Sequence, residues 1–231
     1  DAGGEVISHA ENWTLAGAET GMHAVDLHRR LASGAVMSGL LGYSELLAAS
    51  RPLPRLGALA FGLGHVHALL LACLHRAKHD CSPYYSDGVA YLGGDRLIWL
   101  YDIHLLAGAL TAADWQAFTA MAQAKGLSDV CLGSLEATVV RFGTQLPPTV
   151  LSALDVGDRI GAVAAYLGAG RLHAFAMDIR AVDGVTDRLH YLRELCLPPA
   201  HYMRARYASA RVTWLPWLYA RRAVEGVRKW L

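Results

Sequence analysis

Charge is scarce in this sequence. Asp, Glu, Lys and Arg make up 18% of the 231 residues, and the net charge is +1. A chain so close to neutral is not a uniform electrostatic trap for nucleic acid. With 54% hydrophobic residues it is also not a disordered one. Cysteine is scarce too. Cys73, Cys81, Cys131 and Cys196 form no C-x-x-C pair, which excludes zinc-ribbon and thioredoxin-type motifs. Their apolar contexts predict reduced, buried thiols and a cytoplasmic protein. Several signatures are missing outright: there is no P-loop, no G-x-G-x-x-G, no G-x-S-x-G, no H-E-x-x-H and no D-x-D pair. Gly133-Ser134 is followed by "LEATVV", without the acids that a nucleotidyl-transfer Gly-Ser turn requires.

No secretory signal opens the chain, and its first residue is Asp1 rather than Met. That start predicts an interior or processed part of a longer protein. Between Arg55 and Arg76 there is no formal charge. Gly57, Gly62, Gly64, His65 and His67 argue against a membrane span there and for a buried helix starting near His65.

What is present begins as β. "EVISHAENWTLAG" and "MHAVDLH" flank a turn at Ala18–Gly21 and predict a hairpin. Alternation places Met22, Ala24, Asp26 and His28 on one strand face. Downstream the pattern turns helical. "SELLAAS" is a short helix stopped by "RPLPR". "HVHALLLACLHRAKHD", "DRLIWLYDIHLLAGAL", "TAADWQAFTAMAQAKG" and "LSDVCLGSLEATVVRFG" follow as helices. Thr111 is an N-cap with Asp114 three residues on, and Gly126 and Gly143 are stops. "SPYYSDG" reads as a loop and "CLPPAHYM" as a Pro-Pro hinge. Helices are expected near 146–155, 159–167, 172–181, 185–194 and 215–229. The fold class is therefore α+β, predominantly α. A partial head over residues 1–50 precedes a helical body over 51–231, which ends in a basic, aromatic helix.

Four constellations could carry chemistry. Asp26 and His28 share a strand face, and carboxylates delivered by a strand can hold Mg²⁺ for nucleotidyl transfer. A single carboxylate is equally a polar residue on a wet sheet face. His75 and His79 lie at i, i+4 and could bind a metal with Asp102, or with His67 and Asp80 in a hydrolase-like set. Hydrogen bonding within the helical body is the plainer account of those histidines. Asp102, inside an apolar helix, predicts a buried inter-helix ion pair with Arg76, Lys78 or His79. Finally, from Arg204 onward six Arg and one Lys face one acid, Glu225, leaving −5 for the rest of the sequence. Tyr202, Tyr207, Trp214, Trp217, Tyr219 and Trp230 interleave with those cations. Such a mixture suits single-stranded nucleic acid, a protein interface, a membrane-surface anchor or an ordinary amphipathic helix.

The order of "HAVDLHRRL", "HALLLACLHRAKHD", "RLIWLYDIHLLAGALTAADWQAFTAMAQAKGL" and "FGTQLPPTVL" resembles the bacterial uncharacterised nucleotidyltransferase-like family. The resemblance runs from about Ser8 to Leu154, and more loosely to "LYARRAVEG". It implies a nucleotidyltransferase-type α/β head followed by helices, with NTP and an unknown acceptor as substrates and Mg²⁺ as cofactor. It also implies that Asp26 is the third carboxylate of the site, with His28 beside it. His75, Lys78, His79 and Asp102 match body blocks of the family. The family's Gly-Ser turn and first acid pair are absent from this chain, so the resemblance implies a site incomplete and inactive by itself. The alternative is a non-catalytic binding or scaffold module that uses the Arg/Trp/Tyr-rich C-terminus. An open sheet edge would suit a homodimer.

Overall fold

A computed structural model describes residues 10–17, 21–28, 30, 34–80, 84–86, 89–91, 94–155, 157, 160–207 and 214–230; the side chains of residues 10–24, 26, 84–86, 90, 205 and 227–230 lie outside that description. The chain divides into two compact units, residues 1–43 with 170–231, and residues 44–169.

In the first unit, β1 (Ala10–Gly17) pairs antiparallel with β2 (Gly21–His28), as the sequence predicts. Register sets Asp26 opposite Asn12 and His28 opposite Ala10. Val25 and Leu27, on the alternate face of β2, are exposed. The unit also holds α1 (Ala35–Ser38) and α9 (Arg171–Ala181), with α10 (Val185–Cys196), α11 (Ala200–Arg206) and α12 (Leu215–Trp230). Asp178 of α9 is buried and accepts a hydrogen bond from the Val36 N–H of α1 at 3.0 Å. This bond satisfies one of the first N–H groups of a short helix that lacks a side-chain cap. Pro198-Pro199, the expected hinge, lies in the connection between α10 and α11. Proline costs nothing ahead of the first turn, and α11 follows at once.

The second unit is helical. It contains α2 (Tyr43–Ala48), α3 (His65–Asp80), α4 (Leu97–Ala109), α5 (Ala112–Ala124), α6 (Ser128–Phe142), α7 (Pro148–Leu154) and α8 (Ala162–Gly168). Two short hairpins interrupt it. β3 (Arg51–Pro52) pairs with β4 (Phe61–Gly62), and β5 (Tyr84–Ser86) with β6 (Val89–Tyr91). The second of these falls in the stretch expected to be a loop. Strands of three residues each are too short to show a period of two.

The core is built from Leu69, Leu70, Cys73 and Leu74 of α3, Leu100, Ile103 and Ala107 of α4, Trp115, Phe118 and Ala122 of α5, and Cys131 and Leu135 of α6. These positions recur three and four apart, the spacing that puts them on one side of each helix. Local chemistry sets the ends. Thr111 and Asp114 form a full capping box. Gly126 and Gly143 take φ values of +64° and +61°, which glycine adopts without strain. Asp129 ties α8 in place by accepting the Gly161 N–H at 2.8 Å. A Cβ on Gly161 would lie 2.7 Å from the Gly126 carbonyl oxygen, so only glycine fits there.

Cys73 and Cys131 are buried as expected, and a hydrogen bond to Cys73 together with burial pushes the Cys131 thiol up. Cys196 departs from the expectation and is exposed, because it ends α10 rather than facing a core. Cys81 lies outside the described residues. Iodoacetamide at neutral pH is therefore expected to alkylate Cys196 in the native protein well before Cys73 or Cys131. Peptide mass mapping after timed labelling reads the order, and equal rates at all three would contradict this packing. Among the described residues, no helix is long and apolar enough to cross a membrane.

Candidate functional site

The strand pattern puts Asp26 in the interior of β2, three positions after His23 and two before His28. The hairpin is regular over eight residue pairs, so the backbone position of Asp26 is fixed by its neighbours on β1. His28 is exposed at the strand end. The Asp26 side chain itself lies outside the described residues.

In the helical unit, α3 and α4 pack side by side and bring the second candidate set together. His75 and His79 are one turn apart with ring centroids 4.5 Å apart. Trp99 of α4 meets both, edge-on to His75 at 5.5 Å and stacked on His79 at 5.1 Å. The Arg96 guanidinium sits over the same indole at 5.5 Å. A cavity of about 690 Å³ opens along this seam, lined by Leu71, His75, Ile98, Trp99, Asp102 and Leu105 among others. It is an apolar trough with two polar side chains, His75 and Asp102.

Asp102 is not the buried partner that the sequence suggests. It is exposed, because α4 buries Leu100, Ile103 and Ala107 and turns Asp102 away from that side. Arg76 pairs instead with Asp95, just ahead of α4, through two hydrogen bonds of 2.6 and 2.9 Å. A bidentate guanidinium–carboxylate pair is stronger than any contact a lone helical acid would offer.

His67 belongs to a different cluster. It is buried, and its Nε2 lies 3.4 Å from Glu45, whose other oxygen takes Lys125 at 3.0 Å. Among the described residues, no group of three or more His, Cys, Asp or Glu could hold a metal ion. The set His67, His75, His79, Asp80 and Asp102 is thus not gathered into a metal centre. Trp99 and Glu45, which organise the two histidine clusters, were not singled out from sequence. Only the pairing of helices reveals them.

Both rings of the α3 pair have lowered pKa values. Burial is the main cause for His75, followed by repulsion from His79 and Lys78, with Asp102 opposing. Burial again leads for His79, followed by Lys78 and Arg96. A histidine whose folded pKa is depressed takes up protons more readily when unfolded. Its contribution to stability is therefore present above about 6.5 and is lost as pH falls from there toward the folded value. Melting curves from pH 7.5 to 5.5 are expected to show destabilisation, and the double variant His75→Gln/His79→Gln should flatten that slope. An unchanged slope would mean that other groups set it.

A second cavity of about 530 Å³ is lined by Arg51, His65, His67, Thr111 and Asp114, among other residues. The Arg51 guanidinium contacts the His65 ring there. The Asp114 carboxyl is held below the usual range, first by its hydrogen bonds to Thr111 and then by His65 and Arg51.

Residues 5–143, more than half of the chain, match the model of the family described as Uncharacterised nucleotidyltransferase. The chain belongs to that family. Its role is accordingly nucleotidyltransferase-like. The matched region takes in the β1–β2 hairpin with Asp26 and His28, and extends through α6 with His75, His79 and Asp102. Helices α7 to α12 lie beyond it. No curated protein and no solved structure matches the chain.

Proposed function

We propose that this member of the uncharacterised nucleotidyltransferase family takes part in transferring a nucleoside monophosphate from an NTP to an acceptor, with Asp26 as a carboxylate of the site. What supports the reading is the family match across residues 5–143, which covers the hairpin that carries Asp26. A strand suits this task because its backbone is held by a neighbour and presents alternate side chains at fixed spacing.

Mg²⁺ fits the donor type, since it takes carboxylate, phosphate and water oxygens in near-octahedral geometry. When bound, it would neutralise charge on the transferred phosphate. This chain supplies one oxygen donor on β2, and such chemistry needs two or three. On this reading, further carboxylates join Asp26 to complete the site, and Asp26 by itself supports no turnover of NTP. On this reading, His28, two positions along the same strand, contacts the donor or the acceptor rather than Mg²⁺, which prefers oxygen.

The test uses the natural full-length protein and α-labelled NTPs, with and without Mg²⁺. Transfer of label to a protein or small-molecule acceptor, or Mg²⁺-dependent release of pyrophosphate, is the expected result. A full-length protein that neither binds nor consumes any of the four NTPs with Mg²⁺ or Mn²⁺ present would rule the reading out.

A further inference from the structure

Among the described residues, a strongly charged surface that the nucleotidyl-transfer reading does not use lies on α11 and α12. The inner side of α12 is fully employed. Leu218 is buried with Met203 of α11 and with Tyr207, which follows that helix, and Leu215 and Tyr219 pack against the same cluster. The Tyr219 hydroxyl donates to the Pro198 carbonyl at 2.6 Å, and Arg222 donates to the Leu195 carbonyl at 3.3 Å. The outer side is different. Trp214 is 67% exposed, Trp217 39% and Val224 54%. Ala220, Arg221 and Ala223 are exposed as well. Positions 217, 220, 221 and 224 recur at helical spacing, so the outer face of the helix sets Trp217, Ala220 and Val224 around the Arg221 cation.

This face sits in the most basic part of the chain. From Arg204 onward there are seven cationic residues and a single acid. That acid, Glu225, is already taken, by the Tyr207 hydroxyl at 2.7 Å and Arg221 at 2.8 Å. Arg204 and Arg206 of α11 are exposed, and Arg206 lies near enough to Glu225 to help hold its carboxyl below the usual range, after Tyr207 and Arg221.

We propose that the outer face of α12, with the adjoining arginines of α11, docks on an anionic lipid surface. A helix lying in the headgroup region buries tryptophan and aliphatic side chains at the acyl boundary and sets its arginines against phosphates. The exposed Trp214, Trp217 and Val224 supply the first part, and Arg204 and Arg206 the second. The helix lies on the surface rather than crossing it, since no described helix is long and apolar enough to span. Single-stranded nucleic acid fits less well. It requires open ring faces for base stacking. Tyr207 is buried and lies under both Arg206 and Arg221, at 5.8 and 5.0 Å. Trp217 carries Arg221 at 5.7 Å, and Tyr202 carries Arg222 at 5.7 Å. The proposal is independent of the nucleotidyl-transfer reading.

Flotation of the whole protein with vesicles tests it. Vesicles of phosphatidylcholine with one part in three phosphatidylglycerol are expected to carry the protein at low salt, and pure phosphatidylcholine vesicles are not. Arg204→Gln/Arg206→Gln should weaken partition roughly twenty-five-fold, about fivefold per arginine. Trp214→Ala/Val224→Ser should weaken it about tenfold or more through lost apolar burial. Unchanged melting temperatures would show that both variants fold. Failure to float with anionic vesicles overturns the proposal. So does binding that responds to the arginine changes but ignores the apolar ones, because that is counter-ion attraction without an embedded face. Retention of a single-stranded RNA oligomer with no vesicle binding would assign the surface to nucleic acid instead.

Discussion

Phe118→Ala is expected to destabilise the helical unit by about 3–5 kcal/mol, the range found when a fully buried aromatic is truncated in a core that cannot collapse. Phe118 has no exposed surface and lies midway along α5, the helix that packs against α3, α6 and α7. Its ring meets Trp115 edge-on at 5.6 Å, a contact that alanine cannot replace. Of these helices, α5 is pinned at its start by the Thr111–Asp114 box, and α6 is held by the Gly143 cap and the Asp129–Gly161 hydrogen bond. They have little freedom to move into the space. In a unit of this size, each kcal/mol shifts the melting temperature by a few degrees, so the loss should be on the order of 10 °C. Val140→Ala on α6, where the side chain is 82% exposed, is the control and should stay within about 0.5 kcal/mol. Urea denaturation followed by far-UV circular dichroism measures both. Equal small losses would mean that Phe118 is not at the centre of the core.

The parts of this fold legible in sequence are those set by neighbours a few residues apart. Thr111 with Asp114 marks a helix start, Gly126 and Gly143 mark ends, and the run from His65 to Asp80 forms the helix its pattern predicts. The hairpin was legible because two β-rich runs flank a turn. What escaped was decided at longer range. Asp102 looked buried because its helix is apolar on nearly every side, and the sequence does not say which side faces the core. Arg76 had several acids within reach, and the choice of Asp95 depends on how the chain returns after the β5–β6 hairpin. Cys196 shares the apolar surroundings of Cys73 but sits at a helix end. The histidines show the same limit. Spacing placed His75 beside His79, whereas the Trp99 ring that meets both came from another helix. Asp26 carried the reverse problem, because its local setting is that of any polar strand residue and only the order of blocks along the chain marks it out.

On the proposed reading, Asp26→Asn should be the most damaging single change for function, a loss on the order of 10²–10³ in the Mg²⁺-dependent transfer rate of the natural protein. The size follows from losing a charged oxygen donor whose partner cation contributes several kcal/mol of transition-state stabilisation. Asparagine keeps the shape and the strand register opposite Asn12, so the hairpin should persist and the melting temperature should hardly change. The kinetic pattern distinguishes a site member from a strand residue. A donor to the metal should lower kcat and raise the Mg²⁺ concentration needed for half-maximal rate, with NTP KM moving less. Partial recovery with Mn²⁺, which accepts neutral oxygen and nitrogen donors more readily, is also expected. His28→Asn should cost less, because His28 is exposed at the strand end and is not an oxygen donor for Mg²⁺. Asp102→Asn gives the contrast in the helical unit. It removes an exposed carboxylate beside His75, which should lower the His75 pKa further and leave the Mg²⁺ requirement unchanged. If Asp26→Asn kept full rate and the same Mg²⁺ dependence while Asp102→Asn lost both, the carboxylate of the site would be on α4 and the role of β2 would be purely structural.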